Sequence, residues 1–229
     1  MSIDRKIKDC EFYLKQIEKF NPDPHYTDFF VKAYLQSIIY VYDKIFEEAS
    51  RDFGFFISGY CTVEKFEQKA IEKNDQLALK FLSWFKKNYE SQHSSLYPNF
   101  IKKLIWFIKK NKQLPPIVIK ICPKQSYQKD IFQSIQVGFV EGKIRSKEEL
   151  KIEIKRQTPL FLGIINQKRK ENNEPKVSKN QVLVSSFLEI ENYDDVKILD
   201  ACKIYLPILI QILEDSRDKI KMFTSWIDK

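Results

Sequence analysis

Apolar residues recur at helical spacing through the first half of the chain. Near the start, apolar residues lie four, three, four and three positions apart: Ile3, Ile7, Cys10, Leu14 and Ile17. This spacing places them on one face of an amphipathic helix. The helix is predicted to end before Asn21-Pro22-Asp23-Pro24, because two prolines so close together break a helix.

A second helix is predicted from Thr27 or Asp28 to about Asp52. One of its faces carries a regular series of large apolar residues: Phe30, Tyr34, Ile38, Val41 and Ile45. Most of its remaining circumference is apolar as well, so this helix should lie at the centre of a bundle. Gly54 is the expected residue of positive φ just beyond its end.

Two more long helices follow the second one. Before them, residues Thr62–Lys73 could form a short helix. One runs from Gln76 to about Tyr89, and the other begins near Pro98 and stops by Pro115-Pro116. Proline is tolerated in the first turn of a helix and breaks its interior, so the prolines mark both ends of the last segment.

The pattern changes to strand-like segments after residue 115. Residues 116–122 and 135–140 are rich in β-branched side chains, and apolar and polar residues alternate over 149–156 and part of 182–190. Residues 167–179 are charged and predict an exposed loop. A closing helix is expected over residues 194–224, packed on the bundle to cover its apolar stripe.

The predicted fold is therefore mainly α, a four-to-five-helix bundle with a small antiparallel β insertion and a closing C-terminal helix. We expect one domain over residues 1–229, with the bundle core in residues 1–115 and the insertion at about 116–190. The strands are interpreted as an elaboration of the bundle.

Composition limits the class of protein. The chain has 39 basic and 31 acidic residues, a net charge of +8, which favours polyanions and acidic protein surfaces as partners. The N-terminus lacks an apolar leader and no apolar run is long enough to span a bilayer, so a cytoplasmic protein without a membrane partner is expected. The cysteines are far apart, which disfavours zinc and indicates free thiols, with Cys10 and Cys202 in the core.

No motif for enzymatic chemistry is present. The chain lacks glycine-rich phosphate loops and the signatures of zinc proteases, hydrolases and kinases. Its histidines, His25 and His93, both fall in predicted loops, so the usual general base is nearly missing. We predict no catalytic residue, no metal site and no cofactor.

The most suggestive segment is the helix over residues 99–112, where lysines surround a tryptophan. Phosphates pair with ammonium groups and a base stacks on an indole, so such a face suits single-stranded nucleic acid. A second basic segment lies in the predicted loop. The candidate nucleic-acid-binding residues are Lys102, Lys103, Trp106, Lys109, Lys110, Lys168, Arg169 and Lys170. The alternative is a solvated amphipathic helix and a solubilising loop.

The helices of residues 1–115 resemble those of the HEPN family of archaeal and bacterial helical proteins. The resemblance lies in the runs that begin YTDFFVKAYLQ, ALKFLSWF and LYPNFIKKLIWF. It implies a four-helix fold, compatible with a dimer. Family members cut RNA with an Arg-Asn pair and a His on the fourth helix, and here those positions hold Ile105, Trp106 and Lys110. The resemblance therefore does not imply nuclease activity.

The sequence thus favours a noncatalytic, HEPN-like binding module for RNA or an acidic protein partner. Two alternatives remain open. One is a ribonuclease with a rearranged active site, whose activity would depend on Lys110 or His93. The other is a homodimeric assembly protein that uses its many Phe and Tyr residues at an interface.

Overall fold

The computed structural model describes residues 2–91, 95–124, 134–137, 147–193 and 196–225. Its helices are α1 (Ile3–Phe20), α2 (Pro24–Asp52), α3 (Val63–Glu72), α4 (Gln76–Ser91), α5 (Leu96–Lys109), α6 (Lys147–Glu171) and α7 (Ile198–Thr224). Its strands are β1 (Ile117–Pro123), β2 (Ile135–Gln136) and β3 (Val182–Leu188). A mainly α fold with a small antiparallel sheet and a C-terminal helix is confirmed.

These elements form two compact units. The helical unit comprises Met1–Lys15, Val31–Leu114 and Ala201–Lys229, and the sheet unit comprises Gln16–Phe30 and Pro115–Asp200. The single-domain organisation expected from the sequence stays a prediction. Within the described ranges, no helix combines the length and the apolar character that crossing a bilayer requires.

The core of the helical unit is built from aromatic rings on α2, α3 and α4. The ring centroids of Phe46 and Phe66 lie 5.4 Å apart, and those of Phe46 and Phe85 lie 4.8 Å apart. Phe81 completes the cluster at 5.9 Å from Phe66. All four side chains are buried, which agrees with the central position predicted for α2.

Polar contacts join α7 to α2 inside the helical unit. The Tyr34 hydroxyl donates to the Cys202 carbonyl at 2.9 Å, and the hydroxyls of Tyr42 and Tyr205 are 2.7 Å apart. Cys10 and Cys202 are fully buried, as predicted. Because buried polar groups are costly unless they are hydrogen-bonded, these contacts restrict how α7 packs on α2.

Asparagine is the residue of positive φ after three of the helices, a position where glycine is the usual residue. After α3, α5 and α6 the chain turns through Asn74, Asn111 and Asn173, with φ of 50°, 50° and 56°. After α2 the same place is taken by Gly54, with φ of 67°, which confirms its predicted position. At each end the last carbonyls accept bonds from the residues that follow, the Schellman arrangement.

Helix α2 begins at Pro24, three residues before Thr27, which is the earlier of its two predicted starts. The Asp23 carboxylate accepts from the backbone N–H groups of His25 and Tyr26 at 3.1 and 3.2 Å, so Asp23 caps the helix. Pro24 occupies the first helical position, where a missing N–H costs nothing. The segment interpreted as a breaker therefore both ends α1 and starts α2.

The sheet unit contains a three-stranded antiparallel sheet in the order β2-β1-β3. Strand β1 pairs with β3 over its whole length, with Ile117 opposite Leu188 and Pro123 opposite Val182. Strand β2 pairs with β1 through Ile135, opposite Ile121. Of the strand predicted over residues 135–140, residues 138–140 lie outside the described residues, as do Asp194 and Asp195 before α7.

The predicted strand over residues 149–156 is wrong, because this segment is part of α6. Leu150, Phe161 and Ile165 are buried in one cluster against Ile119 and Ile121 of β1. Over residues 149–156 the apolar side chains are two positions apart, which is the spacing of a strand. The helix resolves the ambiguity by burying Leu150 and leaving Ile152 67% exposed.

The exposed loop predicted over residues 167–179 is confirmed only in part, because residues 172–178 lie outside any helix or strand and most of them are exposed. Its first part continues α6 to Glu171, and the rest turns back onto that helix through Asn173. The Asn166 side chain bonds both backbone groups of Val177, at 2.9 and 2.7 Å. Val177 is buried in the sheet-unit core, so this charged segment is held by one apolar contact as well as by hydrogen bonds.

Candidate nucleic-acid interface

Helix α5 buries one side and exposes another, and the burial follows the sequence spacing. Its buried positions are Pro98, Phe100, Ile101, Lys102, Leu104 and Ile105. The exposed positions of its second half are Lys103, Trp106 and Lys109, and the residue that caps its end, Lys110, is exposed as well. The helix predicted for this segment is therefore present, and most of its candidate residues face solvent.

The end of α5 brings one more lysine to this face. Asn111 adopts positive φ, and its N–H donates to the Ile108 carbonyl at 3.0 Å. The N–H of Lys112 then donates to the Phe107 carbonyl at 2.9 Å. These bonds reverse the chain within two residues, so that Lys112 returns alongside the last turn of the helix.

Trp106 lies between two ammonium groups. The indole is 41% exposed. The Nζ atom of Lys103 is 5.1 Å from the ring centroid, and that of Lys112 is 4.6 Å from it. Both distances allow a cation–π interaction, which an exposed tryptophan supports best among the aromatic residues. The arrangement holds positive charge beside an exposed aromatic surface.

The prediction that Lys102 shares this exposed face is wrong. Its side chain is only 9% exposed, and Nζ donates to the Tyr89 carbonyl. The ammonium group also lies 4.0 Å from the centroid of the Tyr89 ring. Lys102 follows the buried Pro98 by four residues and precedes the buried Ile105 by three. At this spacing the three residues share the buried face of α5.

Lys109 is exposed but its charge is opposed by nearby acids. Burial raises the pKa of Asp43, and the Lys109 ammonium acts in the opposite direction on that carboxyl group. Lys109 also helps to lower the pKa of Glu64, after the hydrogen bonds that carboxylate accepts. We therefore define the Trp106 surface as Lys103, Trp106, Lys110 and Lys112, leaving Lys109 at its acidic edge.

The basic residues of α6 belong to the sheet unit. Lys170 is exposed and Lys168 is partly buried. Arg169 is only 2% exposed; Nη1 donates to the Pro175 carbonyl at 2.9 Å, and Nε lies 3.8 Å from the Glu174 carboxylate. The prediction that Arg169 offers an exposed binding group is wrong, because the turn after α6 folds over it.

The candidate catalytic chemistry is limited. His25 is exposed beside the Tyr26 ring, and His93 lies outside the described residues. Burial raises the pKa of the Cys10 thiol to about 12 and that of Cys61 to about 11, so neither offers a thiolate near neutral pH. Among the described residues, no three His, Cys, Asp or Glu side chains are grouped to hold a metal.

The sequence interpretation missed two residues near this surface. Lys32 and Gln36 of α2 line a shallow groove together with Lys112 and its neighbours. They are separated from the end of α5 by more than seventy positions along the chain. Helical spacing does predict that Lys32 and Gln36 share a face, but only the tertiary structure brings that face to Lys112.

The three positions of the HEPN pattern have different environments. Ile105 is buried, whereas Trp106 and Lys110 are exposed on the last turns of α5. Comparison of the chain with family models, curated proteins and solved structures finds no match. The HEPN resemblance therefore stays a prediction.

Proposed function

We propose that the protein is a noncatalytic, HEPN-like module that binds single-stranded RNA through the Trp106 surface. The observation that carries the proposal is the exposed indole of Trp106 with the ammonium groups of Lys103 and Lys112 about 5 Å from its ring. Base stacking on such a ring contributes roughly 1–3 kcal/mol for any base. The lysines supply the phosphate contacts.

The electrostatics of the whole chain support the same partner. A net charge of +8 attracts a polyanion at long range, and Lys110 adds a further exposed charge to the Trp106 surface. The absence of an imidazole at the three HEPN positions supports binding without cleavage, since Ile105 and Trp106 cannot transfer a proton.

Binding of a fluorescent ten-nucleotide RNA tests the proposal. Replacing Lys103, Lys110 and Lys112 together with Gln should weaken binding at least tenfold. The slope of log affinity against log salt should fall by about two, since each phosphate contact on a single strand contributes about 0.7. Trp106→Ala should weaken binding by a similar factor with an almost unchanged slope.

The matched control replaces three exposed lysines of the sheet unit, Lys151, Lys155 and Lys176, with Gln. It removes the same charge and should change affinity less than threefold. Equal losses in both triple variants would show nonspecific attraction to a basic protein and would reject the Trp106 surface. The RNA is then run on a gel. Metal-independent cleavage that is lost in Lys110→Gln would replace the proposal with the ribonuclease alternative.

A second candidate function, self-association, is supported by a different observation. Ile152, Leu160 and Ile164 form an exposed apolar stripe on α6. The same helix begins with Glu148 and Glu149 and ends with basic residues. Two copies packed antiparallel along α6 would cover the stripe and place the exposed Glu148 of one copy near the exposed Lys170 of the other. The partner that fits this face is therefore a second copy of this chain.

A further inference from the structure

Helix α6 of the sheet unit has a glycine in the middle of its exposed face. Gly163 is exposed and lies within the apolar stripe, between Leu160 and Ile164. Pro159, one helical turn before Gly163, is exposed on the same face. Glycine and proline are the two least favourable residues in the interior of a helix. The exposed face of α6 therefore combines apolar side chains with the poorest helix formers.

Nothing in the described part of the protein requires a glycine at position 163. Among the described glycines, only Gly54 and Gly59 have positive φ. A Cβ atom built on Gly163 would meet no atom within 4 Å, so alanine would fit there and would favour the helix more. What the missing side chain provides is space, because it leaves the backbone of α6 open to close approach.

The exposed face of α6 has a bulky edge and a small edge. Leu160 and Ile164 are 59% and 45% exposed and form the bulky edge, whereas Pro159 and Gly163 form the small edge beside it. In an antiparallel pair of α6 helices with a two-fold axis between residues 160 and 163, Leu160 of each copy faces Gly163 of the other. The same symmetry places Ile164 opposite Pro159. The face is thus complementary in shape to a second copy of itself.

The charges along α6 agree with this register. Lys170 is exposed seven residues after Gly163, and Glu153 lies seven residues before Leu160. The antiparallel register that joins Leu160 to Gly163 therefore brings Lys170 of one copy to Glu153 of the other. Opposite charges at matching positions favour this register over a shifted one.

We infer that two copies of this chain join with Leu160 of each seated over Gly163 of the other; the inference rests on self-association through α6, the second candidate function. Gly163 is then the point where the two helices approach most closely. A glycine that weakens α6 in the monomer is retained because it admits the leucine of the partner.

Sedimentation velocity over a range of concentrations measures the dissociation constant of the dimer. Gly163→Leu should weaken dimerisation by at least about tenfold, since the new side chain collides with Leu160 of the other copy. Adding Leu160→Ala to this variant exchanges the bulky and the small position. The double variant should therefore dimerise within about threefold of the wild type.

The matched control is Lys151→Leu, which adds a leucine at an exposed position about a third of a turn around α6 from Gly163. It should leave the dissociation constant within about threefold of the wild type. If Gly163→Leu folds poorly, Gly163→Ala replaces it. Alanine should raise the urea midpoint of the monomer, because it is the better helix former, and yet weaken the dimer roughly threefold.

The outcomes separate the Gly163 contact from self-association itself. A wild-type protein that stays monomeric at high concentration rejects both. A dimer that Leu160→Glu dissociates and that the Gly163 variants leave intact rejects the contact and keeps association through α6. A folded double variant that remains monomeric rejects the pairing of Leu160 with Gly163.

Discussion

The ammonium group of Lys112 lies 4.6 Å from the centroid of the Trp106 ring, although Lys112 is beyond the end of the helix that carries Trp106. The contact exists because the chain reverses at Asn111. The turn at Asn111 thus holds the Lys112 ammonium group against the indole of the proposed RNA surface.

Lys112→Met should weaken RNA binding about threefold to tenfold and lower the salt slope by about 0.7, because one phosphate contact is lost. Its free energy of unfolding should change by no more than about 0.5 kcal/mol, since the lysine is exposed. Anisotropy titrations over a salt series measure both quantities. Lys151→Met is the control, and a loss of equal size there would contradict a local role for Lys112.

Adjacent lysines of α5 should behave differently. Lys110→Gln should weaken RNA binding several-fold, whereas Lys109→Gln should have less effect because Asp43 and Glu64 already oppose the Lys109 charge. The same titrations compare the two variants, which carry the same substitution one residue apart. A larger loss for Lys109 would shift the surface toward the acidic side of α5.

The end of α5 depends on an asparagine with positive φ. Asn111→Ala should lower the free energy of unfolding by about 1 kcal/mol, because a Cβ-bearing residue without a polar side chain is strained in this region. Asn111→Gly should be close to neutral, since glycine adopts positive φ freely. Urea unfolding followed by circular dichroism measures both. Equal stability of the two variants would argue against a positive φ at Asn111.

The Tyr42–Tyr205 contact should contribute to stability through a buried hydrogen bond. Tyr42→Phe should cost about 1–2 kcal/mol, because the Tyr205 hydroxyl loses a partner inside the core. The double Phe variant should cost less than the sum of the single variants, since neither hydroxyl is then left behind. A double-mutant cycle from urea unfolding tests this, and strictly additive costs would count against a direct bond.

Stability should fall at alkaline pH. Burial raises the pKa of Cys10 from 9.0 to about 12 and that of Tyr89 from 10.0 to about 12, so the unfolded chain releases these protons first. The stabilisation is complete below pH 9 and is lost as pH rises toward 12. At pH 10 the Cys10 thiol alone should account for about 1.4 kcal/mol of lost stability. Urea unfolding at pH 8 and pH 10 measures the loss.

The control for this pH dependence is Cys10→Ala. Its free energy of unfolding should be lower at pH 8, because a buried group is truncated, but it should fall less between pH 8 and pH 10 than that of the wild type. An identical fall in both proteins would assign the alkaline loss to other groups.

Self-association through α6 should be sensitive to one buried charge. Leu160→Glu should convert a dimer to a monomer in light scattering, because a carboxylate in the centre of an apolar interface is strongly unfavourable. Leu96→Glu is the control, as it places the same change at an exposed leucine of α5. A wild-type protein that is monomeric at high concentration would remove this candidate.

Local periodicity determined much of this protein from the sequence. The spacing of Phe100 and Leu104 was enough to predict α5, although the helix ends at Lys109, six residues before Pro115-Pro116. β-branched residues likewise predicted β1, and the alternation of apolar and polar residues predicted β3. These features follow from interactions within a few residues, which the sequence displays directly.

The tertiary structure decided which charged groups remain exposed. Lys102 and Arg169 looked like surface residues, yet one is covered by Tyr89 and the other by the turn after α6. Tertiary packing also determined that residues 147–171 form a helix. It placed Gln36 of α2 in the groove that Lys112 lines. The physical reason is that burial depends on neighbours distant in sequence, whereas periodicity describes only a single element.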